Sequence, residues 1–223
     1  YLANSVEQFF VNGGTRCYVA RVLPDDAKAA EKKAGILTVK AANEGKWGNR
    51  ILVSLKSVQK RRMQLVKKDG DTVYTAKSVE GFREGDIVEF NGEYNRIGMI
   101  YDKQVTFVSK FKGNPVDENM IPKTVVNLVT FDMQVRYNDQ IENYFDVTLN
   151  DSAPTYISAR LAKSALITVE ASAVKDTTVK SEKGEAPVTV IANPVEAILG
   201  KGMTEGTFTL EGGIIKNNSK MVK

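Results

Sequence analysis

The residue types that most often carry chemistry are scarce in this sequence. Its 223 residues include no His and a single Cys, Cys17. The commonest general base and metal ligand is therefore missing, and one thiol closes neither an internal disulfide nor a thiolate zinc cluster. Carboxylates remain. Glu142 with Asp146, and Asp86 with Glu89, are pairs that an acid–base hydrolase would need, but acidic residues at these intervals on strands ordinarily face solvent. No Gly-rich phosphate loop, nucleophile elbow or Asp-rich calcium loop occurs. Cys17 sits in an apolar run that predicts a small buried hydrophobe. A reactive thiol needs electropositive, partly exposed surroundings, and strand alternation sends Arg16 to the opposite face. The expectation is a protein that is not an enzyme, with no catalytic site, cofactor or metal.

Charge adds little. Lys and Arg number 31 against 27 Asp and Glu, for a net +4. Lys60-Arg61-Arg62 and Lys67-Lys68 read as solvated strand or loop edges, where Lys also discourages edge-to-edge pairing. Aromatics are scattered and do not interleave with the basic residues, so no specific nucleic-acid reader is expected. No apolar run reaches membrane-spanning length, so no membrane insertion is expected.

The elements that would position these residues are mostly strands. Val6, Phe9 and Phe10 share one helical face, and Asn12-Gly13-Gly14 supplies a helix stop. Residues 16–23 then read as a sheet strand, ended by Pro24-Asp25-Asp26, with a short amphipathic helix over 27–33. A strand over 35–42 leads to the turn 43–49, which carries Trp47 between Gly45 and Gly48, and then to an alternating strand over 51–58. From about 60 to 123 many short strands alternate with turn signals, among them Lys68-Asp69-Gly70-Asp71 and Asn91-Gly92. That texture predicts a small barrel. Residues 115–122 read as a linker. Val129, Phe131, Met133, Val135 and Tyr137 then alternate strictly with polar residues. A turn at Asn138-Asp139 and a strand over 141–147 follow. Next come a helix over 156–161 opened at Asp151 or Ser152, and a strand over 166–170. Residues 175–185 read as a loop, 194–199 as a short helix and the last dozen residues as frayed. The fold class is α+β and strand-rich: a discontinuous mixed α/β core over 1–57 and 124–172, an inserted small β-barrel over 58–123, and a loop-rich segment over 173–223.

Four stretches resemble the tail sheath family of contractile phage-type tails. They are VEQFFVNGGTRCYVARV (6–22), AANEGKWGNRILVSL (41–55), the Val-x-Tyr strand with its following VTLN (129–149) and PTYISARLAKSALITV (154–169). The family-like positions are Asn12, Gly13, Gly14, Arg16, Cys17, Tyr18, Trp47, Gly48, Asn49, Tyr156 and Ser164. The resemblance implies a structural subunit that polymerises around an inner tube and contracts to drive it through a cell envelope. Its partners would be other sheath subunits and the inner tail tube protein. Its place would be a virion tail or related contractile particle assembled in the bacterial cytoplasm. It also implies that the chain is a fragment without the terminal linking arms, leading towards a missing C-terminal domain and by itself monomeric or weakly associating. Leu210-Glu211-Gly212-Gly213 matches the start of the family's following Gly-Gly turn, but Ile214-Ile215-Lys216 departs from it. Trp47 reads as a packing anchor for its turn, with an inter-subunit hot spot as the alternative. The alternative function is an outward-facing barrel that binds a host surface, a glycan or nucleic acid.

Overall fold

A computed structural model describes residues 2–20, 22–112, 125–179 and 188–215. The expected linker over 115–122 lies outside them, as do the second half of the expected loop over 175–185 and the end of the chain after 215. The chain is strand-rich, with a closed barrel and three further small sheets.

Helix α1 (Leu2–Val11) opens the chain. Strands β1 (Glu31–Ala34) and β2 (Leu37–Ala41) form a hairpin, and a 3-10 helix (Lys46–Arg50) leads into β3 (Leu52–Val58). Six strands then build the barrel: β4 (Arg62–Lys68), β5 (Val73–Ala76), β6 (Ile87–Phe90), β7 (Glu93–Tyr101), β8 (Gln104–Phe107) and β9 (Val125–Leu128). The chain returns through β10 (Thr130–Tyr137), β11 (Gln140–Val147), α2 (Ile157–Leu161) and β12 (Ile167–Ala171). It finishes with β13 (Asp176–Val179), β14 (Val188–Ile191), α3 (Pro194–Leu199) and β15 (Glu205–Thr209).

The main sheet has the order β11-β10-β3-β15, all antiparallel. Its alternation follows from burying one face only. Val53, Leu55, Phe131, Met133 and Val135 point into the core, each at most 1% exposed, while Ser54, Lys56, Asp132, Gln134 and Arg136 line the other face. Opposite the buried face lies the sheet β1-β2-β12, whose Leu37, Val39 and Ile167 join the same apolar cluster as α2 and α3. A second cluster fills the barrel β4-β5-β8-β7-β6-β9. Closure leaves this barrel no free edge. Phe111 caps its interior, edge-on to Tyr74, Phe90 and Phe107 at ring separations of 6.2, 5.8 and 5.0 Å. The expected turn between β6 and β7 has Asn91 at φ 50° and Gly92 at φ 81°. Both central residues are left-handed, as the twist of a two-residue hairpin requires.

Barrel and core share more than a pair of linkers. Where the chain enters and leaves the barrel, Leu128 N–H bonds Arg61 C=O and Thr130 Oγ1 bonds Val58 C=O, at 2.9 and 3.1 Å. The β3–β10 ladder thus runs almost unbroken into β4–β9. Ile87 and Tyr94 belong to barrel strands but pack into the core cluster. Arg96 on β7 makes a two-pronged ion pair with Asp176 at 2.8 and 3.1 Å. Asn150 bonds across to Asp86 and to the carbonyl of Glu84.

Several elements differ from expectation. Residues 16–20, 22 and 23 form no strand, because no neighbouring strand pairs with them among the described residues. The stretch 27–33 is not a helix. Its second half pairs with β2, so ladder bonds prevail over the local amphipathic pattern. Strand β9 lies beyond residue 123, yet pairing with β4 and β6 makes it the strand that closes the barrel. Helix α2 is preceded by Tyr156, with no side-chain cap, and Asp151 and Ser152 sit in a turn several residues before it. The region expected to be loop-rich contributes β13, β14 and β15. The helix expected over 194–199 is α3, capped by Asn193 Oδ1 accepting from Val195 and Glu196 N–H.

Candidate functional site

The family-like residues fall into three places, which the fold separates. The first is the N-terminal unit. Helix α1 ends as the turn signal predicts: Gly13 N–H bonds Phe10 C=O and Gly14 N–H bonds Phe9 C=O, at 3.0 and 2.9 Å. Gly13 adopts φ 91°, and Asn12 Nδ2 adds a bond to Gln8 C=O. The Phe9 ring folds over Gly14 so closely that a Cβ there would lie 2.3 Å from it. Helix α1 nonetheless buries no residue. Phe9, Phe10 and Val11 are exposed, as are Tyr18, Val19 and Val22, the last 85% exposed. Arg16 donates to the Tyr18 hydroxyl at 3.4 Å.

The exposed Cys17 thiol corrects the expectation of a buried one. Among the described residues the apolar run around it has no partner strand to bury it. Native protein should therefore react with Ellman's reagent at about the same rate as urea-unfolded protein, releasing one thiol per chain. A native rate about a hundredfold slower would mean that the run is covered in solution.

The second place is the turn that carries Trp47, Gly48 and Asn49. Trp47 is half-buried, donates Nε1–H to Glu44 C=O at 3.2 Å and meets Tyr137 edge-on at 5.3 Å. Arg50 lies over the same Tyr137 ring and bonds its hydroxyl at 2.8 Å. Gly48 is buried where a Cβ would press on Ala41 and Ala30 at 2.8 and 2.9 Å. Asn49 forms a two-way clasp with residue 213: its Nδ2 donates to Gly213 C=O at 3.0 Å, and its Oδ1 accepts Gly213 N–H at 2.8 Å. This turn pins residues 211–214 beside β1 and the residues just before it, where Lys28 and Glu31 pair with Ile214 and Glu211.

The third place is the α2 turn. Ser164 Oγ accepts from Leu166 and Ile167 N–H and donates to Glu142 Oε2 at 2.5 Å. Glu142 also accepts from Tyr144 Oη and Ala165 N–H. Burial, with help from Glu142, raises the Tyr144 pKa above its usual value, so the phenol stays protonated and donating. Tyr156 reaches Ala171 C=O at 3.4 Å.

The carboxylate pairs are dispersed among such structural roles. Glu142 is occupied as described. Asp146, with φ 54°, takes part in an ion pair with Lys60, which also bonds Asp132. Asp86 is buried between Asn150 and Arg83 N–H, whereas Glu89 accepts from Gln59, Asn127 and Gly92. Among the described residues no cluster of three or more metal-ligating side chains occurs. No described helix is long and apolar enough to cross a membrane. Local sequence offered no signal for the Asp86–Asn150 contact or for the Asn49–Gly213 clasp, which join positions 64 and 164 residues apart.

No family model matches the chain, and no curated protein matches it significantly.

Proposed function

We propose that this chain is a structural subunit of a contractile tail sheath, which assembles with other sheath subunits around an inner tail tube. The observation that supports the reading is the N-terminal unit. A helix with no buried residue is followed by an exposed apolar segment, and together they offer Phe9, Phe10, Val11, Tyr18, Val19 and Val22 to solvent. Six exposed large apolar side chains within fourteen residues of sequence mark a polypeptide contact rather than ordinary solvated chain. Four family-like stretches in family order, at residues 6–22, 41–55, 129–149 and 154–169, point the same way. An assembly subunit needs two different complementary patches to form rings or helices, and the N-terminal unit supplies one of them.

Electron microscopy of the protein tests the reading. Tubes or sheaths are expected, and the double substitution Phe10→Ser with Val19→Ser should reduce their number at least about tenfold. The same change should leave the unfolding midpoint of this chain within about 2 °C, because neither residue is buried. Monodisperse monomers in all buffers, or a double variant that assembles as readily as the parent, would overturn it.

A further inference from the structure

The solvent face of the main sheet holds a groove of about 630 Å³ that none of the structural contacts above explains. That is well inside the range of small-ligand pockets, ~300–1,000 Å³. Its floor is a grid set by strand register. The middle row runs Asn143, Gln134, Ser54 and Thr207 across β11, β10, β3 and β15. Gln134 Nε2 donates to Asn143 Oδ1 at 2.9 Å, and the hydroxyls of Ser54 and Thr207 bond each other at 3.0 Å. These four side chains hold one another in place, and each keeps donor or acceptor capacity free for a ligand.

One rim carries an aromatic ring. Between Phe131 and Met133 the β10–β11 register slips, so that Phe145 and Asp146 together face Asp132. Asp146 adopts φ 54°, a conformation disfavoured for a residue with a Cβ and stabilised here by its N–H bonding Asp132 Oδ1 at 3.0 Å. The bulge returns Val147 to the core while leaving Phe145 on the open face. Phe145 is 57% exposed, and the Lys60 ammonium lies 5.4 Å from its ring centre. Met203 is exposed on the opposite rim.

Charge decides the class of ligand. Lys56 lies 3.7 Å from Glu205, and Lys60 lies 2.9 Å from Asp132 and 3.4 Å from Asp146, so the charges at the groove are already paired and carry no positive excess to hold an anion. A phosphate, a nucleic acid or a strongly charged peptide would have to break those pairs. A neutral polyhydroxyl ligand would not. We propose that this groove binds a neutral oligosaccharide, with the Phe145 ring stacking on a sugar face and the Gln134–Asn143 and Ser54–Thr207 pairs bonding its hydroxyls. The site belongs to the core sheet rather than to the barrel, and it stands whether or not the chain is a sheath subunit.

The test is amide NMR of the full chain titrated separately with chitohexaose, cellohexaose and maltohexaose to about 20 mM, a range that registers weak single-site binding. Saturable shifts confined to β3, β10, β11 and β15 are expected with at least one sugar. Phe145→Ala should weaken that binding at least about tenfold, and Gln134→Ala by a smaller factor. An unchanged spectrum outside the groove shows that each variant remains folded. Absence of shifts with all three sugars would overturn the proposal, as would shifts that persist undiminished in Phe145→Ala. Shifts on this face that follow protein dilution without sugar would also overturn it, because the groove would then be covered by a second copy of the chain.

Discussion

Replacing Asn150 with Ala should lower the unfolding free energy by about 2–4 kcal/mol at neutral pH, far more than an ordinary polar substitution. Asn150 is 6% exposed, and its amide donates to Asp86 Oδ1 and to Glu84 C=O, both at 2.8 Å. Its Oδ1 accepts Ser152 N–H at 3.1 Å. One side chain thus ties the loop after β11 to the loop before β6. Asp86 is 3% exposed and among the described residues would keep only the Arg83 N–H bond, at 2.8 Å. A buried carboxylate that loses a donor carries the desolvation cost of its charge.

The pH dependence of that loss has a definite sign. Burial raises the Asp86 pKa above the ordinary 3.8, against the opposing influence of the Asn150 bond, the Arg83 N–H bond and the nearby Arg83 and Arg61 charges. The folded state therefore holds the proton more tightly than the unfolded state does. The penalty for the buried charge is fully present above the folded pKa, and it disappears as pH falls through that value towards 3.8. Removing Asn150 takes away an influence that favours the charge, so the variant's pKa rises further. Urea unfolding at about pH 7 and about pH 4.5 should show the gap between wild type and variant narrowing on acidification. A gap below about 1 kcal/mol at pH 7, or one that widens in acid, would remove Asn150 from its role as clamp.

The second large effect is expected at Gly35, in the two-residue turn between β1 and β2. Gly35 adopts φ 57°, and an ideal Cβ there would lie 1.7 Å from the carbonyl oxygen of Ala197 in α3. That oxygen cannot retreat freely, because it accepts Ile36 N–H at 3.0 Å. Helix α3 is anchored behind it by Val195 and Ile198 in the core. Gly35→Ala must either displace the helix or break the bond, at a cost of about 3 kcal/mol or more. Gly202→Ala is the control. Gly202 has a similar φ of 75° but nothing within 4 Å of its Cβ position, so only backbone strain of about 1 kcal/mol applies. Denaturant midpoints of the two variants separate strain from collision. Equal losses would show that α3 yields to the added methyl group.

How much of this was legible depended on how local each feature is. The alternation of Val129 to Tyr137 marks β10 because one face of that strand is buried along nearly its whole length. Asn91-Gly92 and Asn12-Gly13 mark turns because residues tolerant of left-handed backbone are needed there and few others serve. Strand β15 was missed. Its sequence, Glu-Gly-Thr-Phe-Thr, is polar and interrupted by Gly206, and only the neighbouring β3 makes it a strand. The apolar run around Cys17 misled in the opposite direction, since it has strand character but no strand beside it among the described residues.

The carboxylates follow the same division. Scarcity of His and Cys, balanced charge and many short strands with turn residues were set by composition and short-range pattern, and they pointed to a strand-rich chain with a small barrel. Which oxygen faces which donor was not available at that range. Glu142 with Asp146 and Asp86 with Glu89 look like pairs in sequence. The fold turns Glu142 to Ser164, Asp146 to Lys60, Asp86 to Asn150 and Glu89 to Asn127. Only the tertiary structure decided that β9 closes the barrel, that Asn49 holds Gly213 and that Phe145 stands on the open face of the sheet. Each of these depends on contact between segments far apart in the chain, and backbone propensity, which acts over a few residues, carries no record of such contacts.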